Sequence, residues 1–205
     1  MKISLDHISK KFQRYRIFKD ISYSFTSPGA YAILGPNGSG KSTLLRLIAG
    51  IQSPSSGTLG YITGNTAIDN KDIYKHISFC APGQEIIEEF TLREFLNFHF
   101  SFKKPLAGFD INSIIEKTGL KDVAGKQITN YSSGMKQRIK LAQAIFTDSA
   151  VLLLDEPCTN LDQQGVEQYR EWIETCTTNR LVIVASNDVR EYFFCTQQLN
   201  VSDYQ

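Results

Sequence analysis

The apolar positions of this chain change their spacing along its length, and the first stretches have the spacing of strands. Residues 2–8 and 16–26 alternate apolar and polar side chains, which is typical of strands with one buried face. The turn residues 27–29 follow, and then a short apolar run at 30–34. These patterns predict an N-terminal β part that leads into a buried strand.

Helical spacing begins after residue 41 and returns later over a much longer stretch. Residues 42–50 place apolar side chains at helical intervals, with Gly50 as the expected stop. Strand-like segments follow near 58–63 and 76–80. From 85 to 147 most apolar positions recur with a helical period, which predicts a mostly helical region.

One part of that region is ambiguous, and the segments after it are not. Phe98, Phe100 and Phe102 alternate with polar residues, so the period alone does not separate helix from strand there. The continuous apolar runs at 151–154 and 181–184 predict parallel strands that are buried on both faces. Strands that alternate with helices predict an α/β fold with a mostly parallel core sheet.

A glycine-rich segment lies between the strand at 30–34 and the helix at 42–50. It reads Gly35-Pro36-Asn37-Gly38-Ser39-Gly40-Lys41-Ser42-Thr43. This sequence fits G-x-x-x-x-G-K-[ST], the P-loop pattern, in which glycines and backbone N–H groups at a helix start surround phosphates. Lys41 is expected to reach the β- and γ-phosphates, and the Ser42 hydroxyl is expected to bind Mg²⁺. The segment predicts that the chain binds ATP.

The second half of the predicted site follows the apolar run at 151–154. Asp155 and Glu156 come at the carboxyl end of that strand, which is where ligands bind in open α/β sheets. Asp155 is expected to hold Mg²⁺ through water, and Glu156 to polarise the attacking water. An acidic turn in solvent is the alternative for these two residues alone, and the lysine-containing loop disfavours it.

Composition narrows the choice of partners. The formal net charge is only +1, from 22 basic and 21 acidic residues, so it gives no argument for nucleic acid or an anionic membrane. The four cysteines form no CxxC pair, which favours reduced thiols over disulfides or zinc. No apolar run reaches the roughly 18 residues of a membrane span. We therefore expect any membrane role to come through a partner.

Two further motifs are more specific than the P-loop. The first is Tyr131-Ser132-Ser133-Gly134-Met135-Lys136-Gln137-Arg138, and the second is Glu156-Pro157-Cys158-Thr159-Asn160-Leu161-Asp162. Together with the loop, in this order and spacing, they make the chain resemble the ATP-binding-cassette family, the nucleotide-binding subunits of ABC transporters. The resemblance covers nearly the whole chain. It implies a single cassette domain over 1–205, with 1–84 and 140–205 as the core and about 85–139 as an inserted helical subdomain.

The resemblance also implies roles for individual residues. Ser132 and Gly134 match the signature motif, whose helix start faces the γ-phosphate of ATP held by the opposite subunit. Asp162 matches the loop that touches the opposite phosphate loop. Phe12 matches the aromatic residue that stacks on adenine, with Tyr15 as the alternative, although Phe12 also fits a core or edge-strand position. The implied assembly is a head-to-tail dimer with two shared ATP sites.

The sequence departs from the family pattern at three places. Ser133 stands where the signature motif usually has glycine. The glutamine that senses Mg²⁺ should follow the strand at 76–80, but Pro82 occupies the ungapped position, and Gln84 is our candidate for the role. The histidine after the last core strand is replaced by Asn187, which can donate a hydrogen bond to the γ-phosphate but cannot carry a proton. We therefore expect slow hydrolysis.

The leading functional prediction is the Mg²⁺-dependent ATPase subunit of a transporter. The resemblance implies a separate transmembrane permease, a second copy of the chain or a paralogous cassette, and a location on the inner face of the cell membrane through that permease. Nucleic acid is not expected as a partner. The alternative is a soluble cassette ATPase that acts on a macromolecular complex such as the ribosome. A P-loop kinase or GTPase is disfavoured by the signature segment.

Overall fold

The structure, a computed structural model, describes all 205 residues and comprises two compact units. The first unit contains residues 1–79, 150–156 and 179–205, and the second contains residues 80–149 and 157–178. The second unit thus includes, besides the long helical region, one segment from later in the chain, residues 157–178.

The strands are β1 Lys2–Phe12, β2 Tyr15–Thr26, β3 Gly29–Leu34, β4 Ser56–Thr63, β5 Thr66–Ile68, β6 Ile77–Cys80, β7 Val151–Asp155, β8 Leu181–Ala185 and β9 Gln197–Asn200. The α-helices are α1 Lys41–Ile48, α2 Leu92–Phe102, α3 Ile111–Thr118, α4 Ser133–Ile145, α5 Gln163–Cys176 and α6 Val189–Tyr192. Short 3₁₀ turns cover Asn70–Lys75, Lys121–Val123, Ile128–Asn130 and Val201–Tyr204. None of the helices combines the length and the apolar character that crossing a bilayer requires.

The first unit is built on two sheets. One has the order β2-β1-β4-β5 with antiparallel pairs, and the other has the order β6-β7-β8-β3-β9. In the second sheet β3 pairs in parallel with both β8 and β9, and β7 pairs in parallel with β8. This arrangement confirms the predicted fold class, an α/β fold with a parallel sheet and an antiparallel part.

The core of the first unit joins both sheets to α1. Every side chain of β7 and β8 is buried, as the continuous apolar runs predicted. The apolar face of α1 contributes Leu44, Leu45, Leu47 and Ile48 to the same cluster, and β1 contributes Ile3, Leu5 and Ile8. Burying each such side chain stabilises the fold by about 1.5–3 kcal/mol, so this core fixes the position of the loop between β3 and α1.

The helices of the second unit begin at well-formed caps. The Thr91 hydroxyl accepts the N–H of Glu94, and the Glu94 carboxylate accepts the N–H of Thr91, which makes a capping box at the start of α2. Asp110 and Ser113 form the same arrangement at α3. The cap at α2 settles the ambiguous phenylalanine segment, which is helical. Phe98 and Phe102 lie one turn apart there with their rings edge to face.

Most predicted elements agree with the structure, with small shifts of their ends. The second strand runs Tyr15–Thr26, and the first helix covers Lys41–Ile48 rather than 42–50. The strand-like segment expected near 58–63 starts earlier in the structure, because β4 already begins at Ser56, where it pairs with Ser9 of β1. The strands β5 and β9 have no apolar pattern that predicted them.

Both ring nitrogens of His99, a residue of the second unit, form hydrogen bonds. His99 Nε2 lies 2.8 Å from Thr147 Oγ1, and His99 Nδ1 lies 2.9 Å from Gln143 Nε2. The Thr147 hydroxyl donates its proton to the backbone carbonyl oxygen of Gln143 at 2.6 Å. The hydroxyl oxygen must therefore accept the Nε2–H of the His99 ring. The Gln143 amide then donates to Nδ1. These contacts require the neutral form of His99.

We expect the stability of this unit to fall as the pH is lowered from about 6.5 to about 4. Burial, with a smaller contribution from the charge of Lys103, lowers the pKa of His99 from 6.5 to about 4. The unfolded chain therefore takes up a proton in this range before the folded chain does, and unfolding becomes more favourable. Urea denaturation of His99→Gln at pH 7 and pH 4.5 should show a smaller difference than wild type. The exposed neighbour Asn97, changed to alanine, is the control that should retain the full difference.

Candidate nucleotide-binding site

The glycine-rich loop connects the end of β3 to the start of α1, as the sequence predicted. Gly40 precedes α1 with φ of 105°, which side chains other than glycine rarely adopt. A Cβ atom at this position would lie 2.3 Å from Ile17 Cγ2, closer than carbon atoms can approach. Glycine is therefore required at position 40 for both its backbone angle and its lack of a side chain.

Lys41 is the first residue of α1 and turns its side chain back onto the loop. Its ammonium group donates to the carbonyl oxygens of Gly35 at 2.8 Å and Pro36 at 3.3 Å, and the residue is only 5% exposed. The hydroxyl of Ser39 is buried in the same loop and has no hydrogen-bond partner in the protein. The loop thus places the Lys41 ammonium group and the unpaired Ser39 hydroxyl where the sequence predicts that phosphate binds.

The two predicted metal ligands, Ser42 and Asp155, contact each other where the loop joins α1. The Ser42 hydroxyl donates to Oδ1 of Asp155 at 2.9 Å, although 113 positions separate the two residues in the sequence. Asp155 is 3% exposed, and burial raises the pKa of its carboxyl, with the Ser42 hydrogen bond opposing the shift. The nearby charge of Glu156 raises this pKa further, while Arg46 and Lys41 lower it. A buried carboxylate beside a hydroxyl oxygen is a ligand set that suits Mg²⁺.

Glu156 lies directly after β7 and faces the same cleft. The cleft is lined by Ile17, Asn37, Gly38, Gly40, Lys41, Ser42, Thr43 and Glu156. The backbone of Glu156 has φ of 43°, an uncommon conformation for this residue type, and its N–H donates to the Ala185 carbonyl oxygen at 2.9 Å. The structure therefore brings Glu156 together with the phosphate loop, where a carboxylate could act on a water molecule.

Ile17 is a cleft residue that the sequence did not indicate. It belongs to β2 and touches the position of Gly40 across the fold. Nothing in the local sequence around Ile17 marks it as part of the site, because its apolar side chain also fits the strand pattern. Its place in the cleft follows from the tertiary fold, which brings β2 beside the loop.

Asn187 reaches the loop from the end of β8. Its Nδ2 atom donates to Oδ1 of Asn37 at 3.2 Å, and the residue is exposed. Because Asn37 is itself a loop residue that lines the cleft, the amide of Asn187 lies beside the predicted phosphate site. Its contact with the γ-phosphate remains a prediction.

Phe12 and Tyr15 lie opposite each other at the end of the hairpin formed by β1 and β2. Phe12 is 46% exposed and Tyr15 is 78% exposed, and the Lys10 ammonium group lies 5.0 Å from the centre of the Phe12 ring. Neither ring is among the residues that line the cleft around the phosphate loop. Stacking of Phe12 on adenine therefore remains a prediction.

The two signature residues occupy the start of α4 in the second unit. Ser132 is the N-cap, and its hydroxyl accepts the N–H of Met135 at 3.2 Å. A Cβ atom on Gly134 would lie 2.9 Å from the carbonyl oxygen of Asn160, so glycine allows this close approach of two backbones. The departure at Ser133 is exposed. Ser132 and Ser133 are both exposed at this helix start, a position that favours the binding of an anion.

Asp162 and Gln84 also belong to the second unit. Asp162 caps α5 by accepting the N–H of Gly165 at 2.8 Å, and it forms an ion pair with Arg138 of α4 at 2.9 Å. These two contacts, the first more strongly, lower the pKa of Asp162. Gln84 follows β6, and its side-chain oxygen is buried without a hydrogen-bond partner. The roles of both residues toward nucleotide and Mg²⁺ remain predictions.

Comparisons with known proteins agree with the geometry. Residues 18–159 match the family model described as ABC transporter. The sulfate/thiosulfate import ATP-binding protein CysA of Mesostigma viride is 34% identical over 178 residues, which is 84% of this chain and 50% of that protein. The uncharacterized ABC transporter ATP-binding protein YybJ of Bacillus subtilis is 34% identical over 170 residues, which is 80% of this chain and 75% of that protein. The chain spans about half the length of the CysA proteins that it matches.

Solved structures share the fold at lower identity. A putative ABC transporter ATP-binding protein from Pyrococcus furiosus superposes with a TM-score of 0.79 over the whole of both chains, at 21% identity. A dimeric bacterial ABC transporter cassette gives a TM-score of 0.81 over 97% of this chain and 94% of that one, at 23% identity. The resemblance derived from the sequence motifs is confirmed, and the chain belongs to the ATP-binding family of ABC transporters.

Proposed function

We propose that this chain is a single cassette domain that binds ATP with Mg²⁺ and hydrolyses it to power a transporter. The observation that carries the proposal is the contact between Ser42 and Asp155 beneath a loop that holds the Lys41 ammonium group. Lys41 and the loop N–H groups bind the phosphates, and Ser42 and Asp155 hold Mg²⁺, with Gln84 as a further ligand. The metal ion neutralises phosphate charge when it is bound.

Glu156 accepts a proton from the attacking water in this proposal. Its place in the cleft beside Lys41 and Ser42 supports the role. Phe12 stacks on adenine, and its exposed ring next to the Lys10 ammonium leaves one face available. Asn187 donates a hydrogen bond to the γ-phosphate from its position beside Asn37.

Two copies of the chain, or this chain and a paralogous cassette, complete each site in the proposed assembly. The start of α4, with Ser132 and Gly134, supplies N–H groups to ATP held by the opposite subunit, and Asp162 contacts that subunit's loop. The exposed helix start supports this arrangement. Two solved structures with the same fold are of cassette dimers.

Mixing two inactive variants tests the shared site. Lys41→Ala removes the phosphate loop cation, and Gly134→Asp puts a negative charge at the signature helix start. Each variant alone should lose ATP turnover, but a mixed dimer contains one intact site. The mixture should therefore recover about a quarter of wild-type turnover, because half of the dimers are mixed and one of their two sites works.

The chain that carries both substitutions is the matched control for this mixture. Mixed with wild type, it should leave no intact site in the mixed dimers, so only wild-type dimers turn over ATP. No recovery in the mixture of single variants, with both variants folded and dimeric, would contradict the shared site.

The partner that we propose is a separate multi-span permease, which holds this chain on the inner face of the cell membrane. The relatives support it, since their names describe import or transporter ATP-binding proteins. Purification of the tagged chain from detergent-solubilised membranes should recover a membrane protein of this kind. Recovery with ribosomes instead would favour a soluble cassette that acts on a macromolecular complex.

The amide side chain of Asn187 leads to a prediction about the rate of ATP hydrolysis. Asn187→Ala should lower ATP turnover about tenfold, because it removes one hydrogen bond to a charged oxygen. Asn187→His should raise turnover above wild type, since imidazole can also carry a proton. Steady-state hydrolysis measures both, and turnover of Asn187→Ala equal to wild type would remove the role.

A further inference from the structure

The turn after β8 is organised around one buried hydroxyl group. The backbone N–H of Ser186 donates to the Ile33 carbonyl oxygen of β3 at 3.2 Å. The Ser186 hydroxyl donates to the carboxylate of Glu191, which lies in α6 and is 4% exposed. The same hydroxyl accepts the backbone N–H of Asp188 at 2.8 Å. Ser186 therefore contacts β3 through its backbone N–H and connects the turn to α6 through its hydroxyl oxygen.

Asn187 lies between Ser186, which carries this hydroxyl, and Asp188, whose N–H the hydroxyl accepts. It is exposed, and its side chain meets the phosphate loop only through the hydrogen bond from its Nδ2 to Asn37. The point from which its amide reaches Asn37 is therefore set by the backbone of residues 186–188. That backbone in turn depends on the hydrogen bond from Asp188 N–H to Ser186.

The carboxylate determines which way the hydroxyl points. While the Ser186 hydroxyl donates its proton to Glu191, its lone pairs are available to the Asp188 N–H. Without that acceptor the hydroxyl can rotate toward the Asp188 carbonyl oxygen, which lies 3.5 Å away. Burying a carboxylate costs free energy unless it accepts hydrogen bonds. The buried position of Glu191 therefore suggests that its carboxylate has a specific role.

We propose that Glu191 is a positioning residue that acts through Ser186 to hold Asn187 against the phosphate loop. The proposal rests on the proposed function, in which Asn187 donates a hydrogen bond to the γ-phosphate. It predicts that loss of Glu191 slows turnover but leaves binding of ADP, which has no γ-phosphate, unchanged. It also requires that Glu191 have no effect once Asn187 is absent.

The experiment measures ATP turnover and ADP affinity of the full chain for a set of variants. Glu191→Ala should lower kcat about tenfold, the size of one lost hydrogen bond to a charged group. Its ADP affinity should stay within about twofold of wild type, because the phosphate loop is unchanged. Glu191→Gln keeps an acceptor oxygen and should retain kcat within about twofold. Glu174→Ala, at an exposed position of α5, is the control and should match wild type.

Two further variants keep the test decisive. Ser186→Ala removes the hydroxyl that connects Glu191 to Asp188 while keeping the carboxylate, and it should lower kcat as Glu191→Ala does, so it tests the same connection from the other side. The double variant Asn187→Ala/Glu191→Ala should be no slower than Asn187→Ala alone. Additive losses in the double variant would overturn the proposal.

The outcomes separate this inference from the function on which it rests. Slow turnover of Asn187→Ala together with wild-type turnover of Glu191→Ala and Ser186→Ala would overturn the positioning role and leave the proposed function standing. Wild-type turnover of Asn187→Ala would overturn both. Weakened ADP binding in Glu191→Ala would show a general structural role and would also overturn the inference.

Discussion

Replacement of Lys41 by alanine is expected to weaken ATP binding by a factor of about 100 or more. Lys41 is 5% exposed, and its ammonium group donates to two carbonyl oxygens of the loop, those of Gly35 and Pro36, so it is already directed into the predicted phosphate site. Each charge-assisted hydrogen bond to a phosphate oxygen stabilises the complex by about 1.5–3 kcal/mol. Isothermal titration calorimetry with ATP and Mg²⁺ measures the loss.

A second lysine provides the control for this experiment. Lys117 lies on α3, in the second unit, and pairs with Glu171 at 2.7 Å on the surface. Lys117→Ala removes the same charge from the chain and should leave ATP affinity within about twofold of wild type, because surface ion pairs contribute little. Wild-type affinity of Lys41→Ala, with circular dichroism showing a folded protein, would mean that the loop does not bind the phosphates.

The apolar pattern predicted the strands in which every side chain is buried. The runs at 151–154 and 181–184 became β7 and β8, in which all side chains are buried, so apolar character alone was a sufficient signal. The edge strand β9 has the sequence Gln-Gln-Leu-Asn with only Leu199 buried, and its pairing with β3 creates it. A local pattern cannot report a strand that exists because of a distant partner.

The same difference separates the site residues that the sequence revealed from those it did not. Lys41, Ser42 and Asp155 stand at fixed places in motifs, and the structure brings the last two within 2.9 Å. Ile17 and Glu191 belong to no motif. From the pattern alone, Ile17 is expected to be a strand residue, and a glutamate after β8 is expected to be exposed to solvent. Glu191 is in fact only 4% exposed. The positions of these two residues depend on the tertiary fold and on the turn after β8.

Replacement of Glu156 by glutamine is expected to abolish most ATP turnover while leaving ATP bound. Glu156 follows Asp155 in the cleft, and a carboxylate there can accept the proton of an attacking water, which an amide cannot do. General-base catalysis contributes typically 10²–10⁴-fold to a rate, so we expect a fall of about 100-fold or more in kcat. ATP affinity should stay within about threefold, because Lys41, Ser42 and Asp155 are untouched.

The substitution also separates the chemical step from the assembly step. Glutamine has the same size as glutamate, so the left-handed backbone at this position, with φ of 43°, is no harder to form. If hydrolysis opens the dimer, Glu156→Gln should remain dimeric with ATP and Mg²⁺ in size-exclusion chromatography, whereas wild type returns to monomer as ATP is consumed. Glu174→Gln, an exposed substitution of the same chemistry, should behave as wild type. Full turnover by Glu156→Gln would assign the base to another residue, because the only change is the loss of the carboxylate that accepts the proton.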